Sequence, residues 1–236
     1  MIRRIAVAGM LLVGGMAFGQ EVIAHWDFSK GQIDSTDGKI KMIFRGNTQI
    51  KGEEGKQFLD VGITDNDTPE GIVARKIYPE LTPQGAFRLE FKVRLRAQTT
   101  RKNQMILWDN SYHMDPATAR PKAKKGLILY LSQGKDGKFR PMAALGLGES
   151  QEFVYGNPLQ MEEDRDFSLA LEYDGVKSVS FFVNGELNRT AKLKNGGPLA
   201  QAVYPLVIGD RFSSGYNRFD GQIMEVKLTA LPSPEQ

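Results

Sequence analysis

The stretch that decides the fold of this 236-residue chain reads Phe167-Ser-Leu-Ala-Leu-Glu-Tyr-Asp-Gly175 and, after three intervening residues, Val179-Ser-Phe-Phe-Val-Asn-Gly185. Each apolar run ends in a dipeptide, Asp-Gly or Asn-Gly, that favours the tight turn of an antiparallel hairpin. Two more apolar runs follow in residues 204–209 and 219–228. This region therefore predicts consecutive antiparallel strands.

Residues 87–96 give the clearest alternation, because apolar residues at odd positions alternate with charged residues at even positions. A period of two with charge on one side is typical of a strand with one buried and one solvated face. Helical periodicity is absent after residue 19, and 25 glycines and 11 prolines fit a turn-rich all-β chain. Pro141 predicts an edge position or a bulge within its strand. Further strands are predicted in residues 22–28, 39–45, 57–61, 72–75, 104–108, 127–131, 139–147 and 153–155.

The first 19 residues have the pattern of a secretory signal peptide. Arg3 and Arg4 precede an apolar run from residue 5 to residue 16, and small residues at positions 17 and 19 precede a cleavage point at Gln20. The apolar run is shorter than the about 20 residues that a bilayer-spanning helix needs. We therefore expect export to the periplasm or the outside, and no membrane span in the mature chain.

Composition narrows the class of protein further. The chain has no cysteine, so the fold of an exported form must rest on its own core rather than on disulfides. The net charge of +3 includes Arg3 and Arg4, and without residues 1–19 it would be +1. No basic face interleaved with aromatic residues is visible, which argues against nucleic-acid binding. Residues 20–236 have a length that suits one all-β domain.

Three motifs occur in a characteristic order: Ala24-His-Trp-Asp-Phe28, then Leu171-Glu-Tyr-Asp-Gly175 leading to Phe182-Val-Asn-Gly185, then Leu206-Val-Ile-Gly209 followed by Phe219-Asp-Gly-Gln-Ile223. This order resembles the LamG-like, concanavalin A-like lectin/glucanase superfamily. The resemblance implies an all-β fold, a two-sheet antiparallel jelly-roll β-sandwich. Domains of this kind mostly bind glycans, glycoproteins or cell-surface partners, often with calcium, and a minority are glycosidases or polysaccharide lyases.

The carboxylates of the sequence do not form a recognisable catalytic pair. A retaining glycosidase needs two carboxyl groups about 5 Å apart. Residues 162–164 are consecutive acids with turn character, and Glu90 lies between Arg88 and Lys92 without a second acid two or four residues away. We therefore predict no catalytic residue.

Ligand-binding candidates lie in two segments rich in aromatic and polar residues. Sugar sites commonly combine an aromatic ring with a few polar groups, and the loops of a sandwich carry such residues. For Trp108, the alternative to a ligand-binding position is a position in the hydrophobic core. Tyr112, His113 and Arg120 would also fit a lyase-like cluster, because elimination from a uronate uses a base and a cation. The full set of candidates is Trp108, Asp109, Asn110, Tyr112, His113, Arg120, Arg211, Tyr216 and Arg218.

Calcium is an optional ligand. The resemblance implies an Asp in an Ile-Asp-Glu-Val pattern on the final strand, but Met224 stands at that position, and a thioether is a poor ligand for a hard cation. Asp34, Asp37 and Asp220 remain as candidate calcium ligands.

The sequence thus predicts a secreted or periplasmic binding module that recognises carbohydrate without chemistry and requires no cofactor. Two alternatives stay open. The first is a glycoside hydrolase or lyase that acts on polysaccharide, and the second is a module that binds a protein of the cell envelope.

Overall fold

The computed structural model describes most of the chain after residue 19, so the predicted signal peptide lies outside the described residues. In two short strands only the backbone is described, namely residues 113–115 and 120–122. The described segments are residues 20–62, 68–96, 104–111, 113–115, 120–122, 124–159, 164–212 and 217–232.

Strands dominate the described residues, and the helical elements among them are two short 3-10 helices, Phe28–Lys30 and Pro79–Leu81. The strands are β1 (Glu21–Asp27), β2 (Met42–Phe44), β3 (Gln49–Lys51), β4 (Phe58–Val61), β5 (Ile72–Ala74), β6 (Phe87–Leu95), β7 (Gln104–Asp109), β8 (His113–Asp115), β9 (Arg120–Lys122), β10 (Lys125–Gln133), β11 (Phe139–Leu147), β12 (Gln151–Tyr155), β13 (Asp166–Tyr173), β14 (Ser178–Val183), β15 (Glu186–Lys192), β16 (Val207–Ile208) and β17 (Gly221–Ala230).

Two antiparallel sheets pack face to face, which confirms the predicted β-sandwich. The first sheet has the order β15-β14-β13-β6-β17-β4-β3, and β1 also pairs with β17. β1 and β4 follow one another along the same edge of β17, because β4 pairs with residues 221–223 and β1 with residues 225–230. The second sheet has the order β12-β11-β10-β7-β16-β5-β2, and β8 and β9 form a separate hairpin.

β6 shows how the alternation in the sequence builds the core. Its five odd-numbered apolar residues are buried, whereas Arg88, Glu90, Lys92 and Arg94 on the other side are half-buried or exposed. β6 lies between β13 and β17, so its inward side chains sit at the middle of the sheet. Apolar burial of this kind contributes roughly 25 cal/mol for each Å² removed from water.

The two predicted hairpin turns are present in the first sheet. Asn184 and Gly185 have positive φ angles of 51° and 81°, as a two-residue type I′ turn between β14 and β15 requires. In the turn between β13 and β14, the Asp174 carboxylate accepts hydrogen bonds from the backbone N–H groups of residues 176, 177 and 178. These turns fix the register of three consecutive strands.

Pro141 lies in β11, where the strand is partly an edge. β11 pairs with β10 along its whole length, but β12 pairs only with residues 142–146. The Pro141 carbonyl accepts the backbone N–H of Gly156 just beyond the end of β12. A missing N–H is tolerated on that side, because no acceptor of a continuing strand faces it.

Two strands of the first sheet were absent from the prediction. β3 has three residues, and β15 is an edge strand that is exposed along most of its length, so neither shows an apolar alternation. No helix within the described part of the chain has the length and apolar character that crossing a membrane requires.

Candidate functional site

The outer face of the second sheet carries two exposed aromatic side chains on its edge strand β12. Val154 points into the core and is almost fully buried, so its neighbours Phe153 and Tyr155 point outward. Phe153 is 51% exposed and Tyr155 is 47% exposed. Large aromatic side chains at this level of exposure provide a contact surface for a partner.

The outward side chains of the neighbouring strands continue this surface into the middle of the sheet. Tyr155 lies opposite Met142, which lies opposite Tyr130, which lies opposite Ile106. Five side chains in the middle of the sheet form a cluster of their own, separate from the main core, and each is at most 7% exposed. They are Ile106, Ile128, Tyr130, Met142 and Ala144. We use the name aromatic face for the outward side chains of Ile106, Ile128, Tyr130, Met142, Ala144, Phe153 and Tyr155.

A polar border lies beside the aromatic face. The Arg211 guanidinium donates from Nη2 to the Gln104 side-chain oxygen at 3.1 Å, and Asn217 donates to the same oxygen at 3.4 Å. Arg140, on the same side of β11 as Met142, donates to the Asp136 carboxylate at 2.8 Å. Amide and guanidinium groups thus stand next to an apolar surface, the combination that ligand sites commonly show.

Tyr130 connects the aromatic face with this border. Burial, together with the proximity of Tyr155, raises the pKa of Tyr130 to about 12, and the charge of Arg211 opposes this rise. The phenol group therefore lies within electrostatic reach of the exposed Tyr155 on one side and of the Arg211 guanidinium on the other. It stays neutral at physiological pH and can donate or accept a hydrogen bond.

Behind the border lies a set of buried charged groups. Asp109 and Asp210 are fully buried. The Asp210 carboxylate accepts the backbone N–H groups of Glu70 and Arg211 at 2.8 and 2.7 Å. Burial raises the pKa of Asp210 to about 7, although these hydrogen bonds and the charges of Arg45 and Arg218 lower it.

Arg45 bridges the buried charges and the border. Its guanidinium donates to the backbone carbonyls of Arg211 at 2.7 Å and Phe212 at 3.3 Å. Burial lowers the pKa of Arg45, and the nearby carboxylates of Asp210 and Asp109 raise it. These contacts hold the backbone at Arg211 in place, so the direction in which the Arg211 side chain leaves it is fixed.

A bulge in β7 decides the orientation of Trp108. The register with β10 shifts at Leu107, so that Ile106 lies opposite Tyr130 and Trp108 lies opposite Leu129. Without this extra residue, Trp108 would point outward with Ile106, because residues two apart share a face. Instead Trp108 is fully buried and packs edge to face on Trp26, with ring centroids 6.1 Å apart. Trp108 is therefore a core residue rather than a ligand-binding residue.

Asn110 is also part of the structure's interior. Its amide donates to the Leu81 carbonyl at 3.0 Å and to Thr82 at 3.3 Å, and its side-chain oxygen accepts the backbone N–H of Leu127 at 2.7 Å. These three hydrogen bonds all go to protein groups. This candidate therefore ties the end of β7 to a neighbouring loop.

The structure brings three of the other predicted residues together. Arg218 forms an isolated backbone bridge with Ile106. Arg211 is half-buried at the border, whereas Arg218 and Asp109 are buried, and the charge of Arg218 acts on Asp210. The remaining candidates are less fully described: His113 lies opposite Lys122 and Arg120 opposite Asp115 in the backbone of the β8–β9 hairpin, and Tyr112 and Tyr216 lie outside the described residues.

The prediction missed the aromatic pair of β12 and Tyr130. The signal was present in the sequence, because Gln151, Phe153 and Tyr155 alternate with Glu152 and Val154. A short strand of five residues does not reveal which of its two faces is buried, and the aromatic side was as good a candidate for the core as the other.

The candidate calcium ligands are occupied by protein donors. Asp34 accepts the backbone N–H of Met42 at 2.8 Å and the Lys41 ammonium at 3.0 Å. Asp37 accepts from Ser35 at 2.6 Å and from the backbone of Lys39 at 3.1 Å. Asp220 accepts from the Arg96 guanidinium at 3.2 Å. Across the described residues, no group of three or more His, Cys, Asp or Glu side chains could hold a metal ion.

The carboxylate Glu90, considered above for catalysis, lies in an ion pair on the first sheet. Arg88 donates to Glu90 at 2.8 Å and to Glu172 at 2.7 Å, so both carboxylates are paired with one guanidinium. Residues 162 and 163 lie outside the described residues, and Asp164 follows them in a turn with a positive φ of 57°.

The fold is similar to that of several solved binding domains. Domain 4 of AbnA, a GH43 extracellular arabinanase from Geobacillus stearothermophilus, solved in complex with arabinotriose, matches with a TM-score of 0.61 at 13% identity, covering 89% of this chain and 93% of that chain. The binding domain of botulinum neurotoxin DC, solved in complex with rat synaptotagmin II, matches with a TM-score of 0.64 at 11% identity. That match covers 90% of this chain and 49% of the neurotoxin chain.

A third similar structure is that of botulinum neurotoxin type C, whose cell entry depends on interaction with two ganglioside molecules; its TM-score is 0.62 at 11% identity, with 90% of this chain and 49% of that chain covered. This chain therefore spans about half the length of the neurotoxin chains it matches. The sequence matches no protein-family model and no curated protein. At these identities the similarity establishes a β-sandwich fold of the same architecture.

Proposed function

We propose that residues 20–236 form an exported β-sandwich module of the concanavalin A-like, LamG-like kind that binds carbohydrate on the aromatic face and does so without chemistry. The observation that carries this proposal is the position of Phe153 and Tyr155. Both are about half exposed on one face of an edge strand, and the same sheet carries amide and guanidinium donors at Gln104, Asn217 and Arg211, three strands away on β7 and the segment beside it. Aromatic rings can stack on the apolar face of a sugar ring while polar groups hydrogen-bond its hydroxyls.

Two further observations support carbohydrate recognition, although the neurotoxin DC domain of similar fold was solved with a protein partner. The arabinanase domain that this fold resembles was solved with an oligosaccharide, and the neurotoxin type C interacts with gangliosides. The exposed apolar area of the aromatic face is narrow, since only Phe153 and Tyr155 are exposed while the central cluster is buried. A stable protein interface would need a larger contact area, on the order of 800 Å² per partner.

The aromatic pair provides the decisive test. Isothermal titration against a panel of neutral and acidic polysaccharides should identify a bound glycan, and Phe153→Ala/Tyr155→Ala should weaken its binding by about tenfold or more, because contacts at a central aromatic anchor dominate affinity. Phe44→Ala is the matched control, since Phe44 is 44% exposed on β2 at the opposite edge of the same sheet. The control should bind like the wild type.

The outcomes separate the alternatives. Equal binding by the double variant and the wild type would contradict the proposed site. Shorter products in the incubated glycan, detected by mass spectrometry and lost in the double variant, would show a hydrolase or lyase instead. Absence of binding to every glycan in the panel would contradict carbohydrate recognition.

Export is part of the proposal and has its own test. Expression of the whole chain in a bacterium with a general secretion pathway should yield an extracytoplasmic protein whose N-terminal residue is Gln20, because residues 1–19 have the pattern of a signal peptide. Intact mass measurement of the exported fraction decides the point. A protein that stays in the cytoplasm with residues 1–19 attached would contradict it.

A further inference from the structure

We propose that a cavity at one edge of the sandwich is a second sugar-binding site, separate from the aromatic face, and that it takes an uncharged sugar residue. The cavity has a volume of about 440 Å³. This value lies within the range of about 300–1,000 Å³ that is usual for small-molecule sites. The lining that the structure describes comes from the β14–β15 turn with the adjoining strand ends, the start of β13 and residues 158–159.

The floor of the cavity is apolar. Phe167 and Val183 lie opposite the buried Val93 and Leu169, and directly opposed residues share a face, so both side chains point inward from the first sheet. Both are only partly buried, and the third floor residue, Leu159, belongs to the main core. The cavity is therefore an opening between the two sheets. An apolar floor of this kind fits the apolar face of a sugar ring.

Two asparagine side chains in the lining are held in place by their oxygen atoms. The Asn184 Oδ1 accepts the backbone N–H of Ser168 at 2.9 Å, and the Asn184 backbone N–H donates to the Ser168 carbonyl at 2.9 Å. The Asn188 Oδ1 accepts the backbone N–H of Asn157 at 2.7 Å, and the Asn188 carbonyl accepts the Asn157 side-chain amide at 2.7 Å. A backbone N–H requires an oxygen, so these contacts fix which end of each amide is the NH2 group. Within the part of the chain that the structure describes, neither NH2 group has an acceptor.

Glu186 supplies a hydrogen-bond acceptor beside these donors. It is exposed at the first position of β15, and its carboxylate makes no ion pair or hydrogen bond with any described residue. Asp166 also lines the cavity but contacts Arg94 at 2.6 Å. With Arg165 as the cation and Asp166 and Glu186 as the acids, the described lining has a formal charge of −1.

This set of groups matches an uncharged sugar. Each hydroxyl of a sugar can donate and accept a hydrogen bond, so neighbouring hydroxyls can accept from the two amides and donate to Glu186. The amides are positioned before the ligand arrives, so little conformational entropy is lost when they bind it. An anionic sugar would meet the negative charge of the lining, which disfavours its binding.

The cavity and the aromatic face are different places on the molecule. Tyr155 lies opposite Met142 of β11, whereas Leu159 forms an isolated bridge with Phe139, three residues away along the same strand. The two positions are therefore about 10 Å apart at the usual rise per residue. Tyr155 points outward from the second sheet, while Leu159 belongs to the core between the sheets. A sugar in the cavity needs no contact with the buried centre of the aromatic face.

The side-chain amide signals of the two asparagines give a direct test. Two-dimensional proton–nitrogen NMR spectra are recorded while the protein is titrated with arabinotriose, xylotriose, cellotriose, maltotriose or the anionic trigalacturonate. The NH2 signals are assigned from their loss in Asn184→Asp and Asn188→Asp. Both variants keep the oxygen that accepts the backbone N–H, and Asp-Gly suits the same turn type as Asn-Gly. We expect both signals to shift to saturation with at least one neutral sugar and to shift less with trigalacturonate.

Matched variants measure the contribution of each group to binding. Glu186→Ala removes the acceptor and should raise the Kd of the neutral sugar about fivefold, as the loss of one hydrogen bond does. Asn184→Asp/Asn188→Asp replaces both donors by acceptors and should raise the Kd by about tenfold or more. Glu54→Ala and Asn47→Asp make the same changes at exposed positions away from the cavity and should alter the Kd less than about twofold. Thermal unfolding of each variant identifies any loss that comes from misfolding.

The results distinguish this inference from the proposed function. Amide signals that stay in place with every neutral sugar would overturn the inference, and so would binding of trigalacturonate as tight as that of the neutral sugars. Equal losses in Glu186→Ala and Glu54→Ala would also overturn it. In Phe153→Ala/Tyr155→Ala the cavity signals should still shift, and their failure to do so would show one site instead of two. If the aromatic pair binds a glycan and the cavity signals do not move, this inference fails alone; if the cavity signals move and the aromatic pair binds nothing, the proposed site fails alone.

Discussion

The outer faces of the two sheets differ in their chemistry, although both sheets bury the same kind of side chain between them. On the first sheet the outward positions carry charges that are already paired. Arg88 contacts Glu90 and Glu172, Arg94 contacts Asp166, and His25 contacts Glu225 at 2.8 Å. On the second sheet the outward positions carry Tyr130, Met142 and the exposed aromatic pair.

This difference supports the proposal that the binding face lies on the second sheet. A face of paired charges is satisfied by itself and by water, so a ligand would have to displace existing contacts. On the second sheet, the exposed rings of Phe153 and Tyr155 would gain free energy when a partner covers them. The comparison therefore points to the second sheet, and each prediction below tests one side of it.

The largest expected effect is the difference in unfolding free energy between a substitution on the inner face of the second sheet and one on its outer face. Trp108→Ala should lower the free energy of unfolding by about 3–5 kcal/mol, because it leaves a cavity between the sheets beside Trp26. Tyr155→Ala, on the outward face of the same sheet, should cost less than about 1 kcal/mol. Urea titration followed by circular dichroism measures both.

The control for this prediction is Trp108→Phe. It removes a buried indole N–H for which the described residues offer no hydrogen-bond acceptor, so it should cost less than Trp108→Ala. If Tyr155→Ala proved as destabilising as Trp108→Ala, the assignment of inner and outer faces would be wrong.

The next effect is a pH dependence that comes from the buried charges behind the second sheet. Burial raises the pKa of Asp210 from 3.8 to about 7. The folded protein therefore binds this proton more tightly than the unfolded chain does. The stabilisation is complete below about pH 4 and is lost as the pH rises to about 7, by up to about 4 kcal/mol in the free energy of unfolding.

Denaturant titrations between pH 4.5 and 7.5 measure this slope. In Asp210→Asn the group cannot ionise, so its share of the slope should vanish, whatever the variant costs through the altered hydrogen bond to the Glu70 backbone. The same slope in both proteins would contradict the assignment to Asp210. Asp37 has the opposite effect on the pH dependence of stability. Hydrogen bonds from Ser35 and Lys39 lower its pKa to about 2, so its stabilisation is lost as the pH falls, mainly below pH 4.

The fold could be predicted from the sequence where apolar residues recur at every second position of a strand and a turn residue marks the end of the strand. The alternation in residues 87–96 predicted β6 with the right residues inward, and Asn184-Gly185 predicted a hairpin that the structure contains. β15 could not be predicted in the same way, because both of its sides are exposed at the edge of the sheet. Edge strands of this kind owe their conformation to a neighbour and not to their own pattern.

The candidate site was harder to predict, because its geometry depends on long-range register. Trp108 and Ile106 are two residues apart and would share a face in a regular strand, but the bulge at Leu107 separates them. Phe153 and Tyr155 became recognisable only once Val154 was placed in the core. Arg211 was predicted from its segment as a ligand-binding residue; the structure shows it in contact with Gln104 on β7, and its part in binding stays a prediction.

Substitutions at two glycines should have a smaller effect on stability. One glycine lies in a turn of the first sheet and the other at a closely packed position of the second sheet. Gly185 has a φ of +81°, and a Cβ there would meet no atom within 4 Å, so Gly185→Ala should cost about 1–2 kcal/mol from backbone strain alone. Gly71 has nearly the same φ of +82°, but a Cβ would lie 2.2 Å from the Ile208 carbonyl oxygen. Gly71→Ala should therefore be clearly more destabilising in thermal unfolding. Equal costs would mean that the contact with β16 is not as close as described.

The smallest effect concerns the ion pairs of the first sheet. Glu172→Gln should lower the free energy of unfolding by less than about 1 kcal/mol, because the Arg88–Glu172 pair is partly solvated. The loss should disappear in about 1 M salt, where the screening length falls to about 3 Å. Glu53→Gln removes an equal charge from an exposed turn and serves as the control. A loss for Glu172→Gln that persists at high salt would show that the pair is a rigid structural contact, and the two outer faces would then differ less than their side chains suggest.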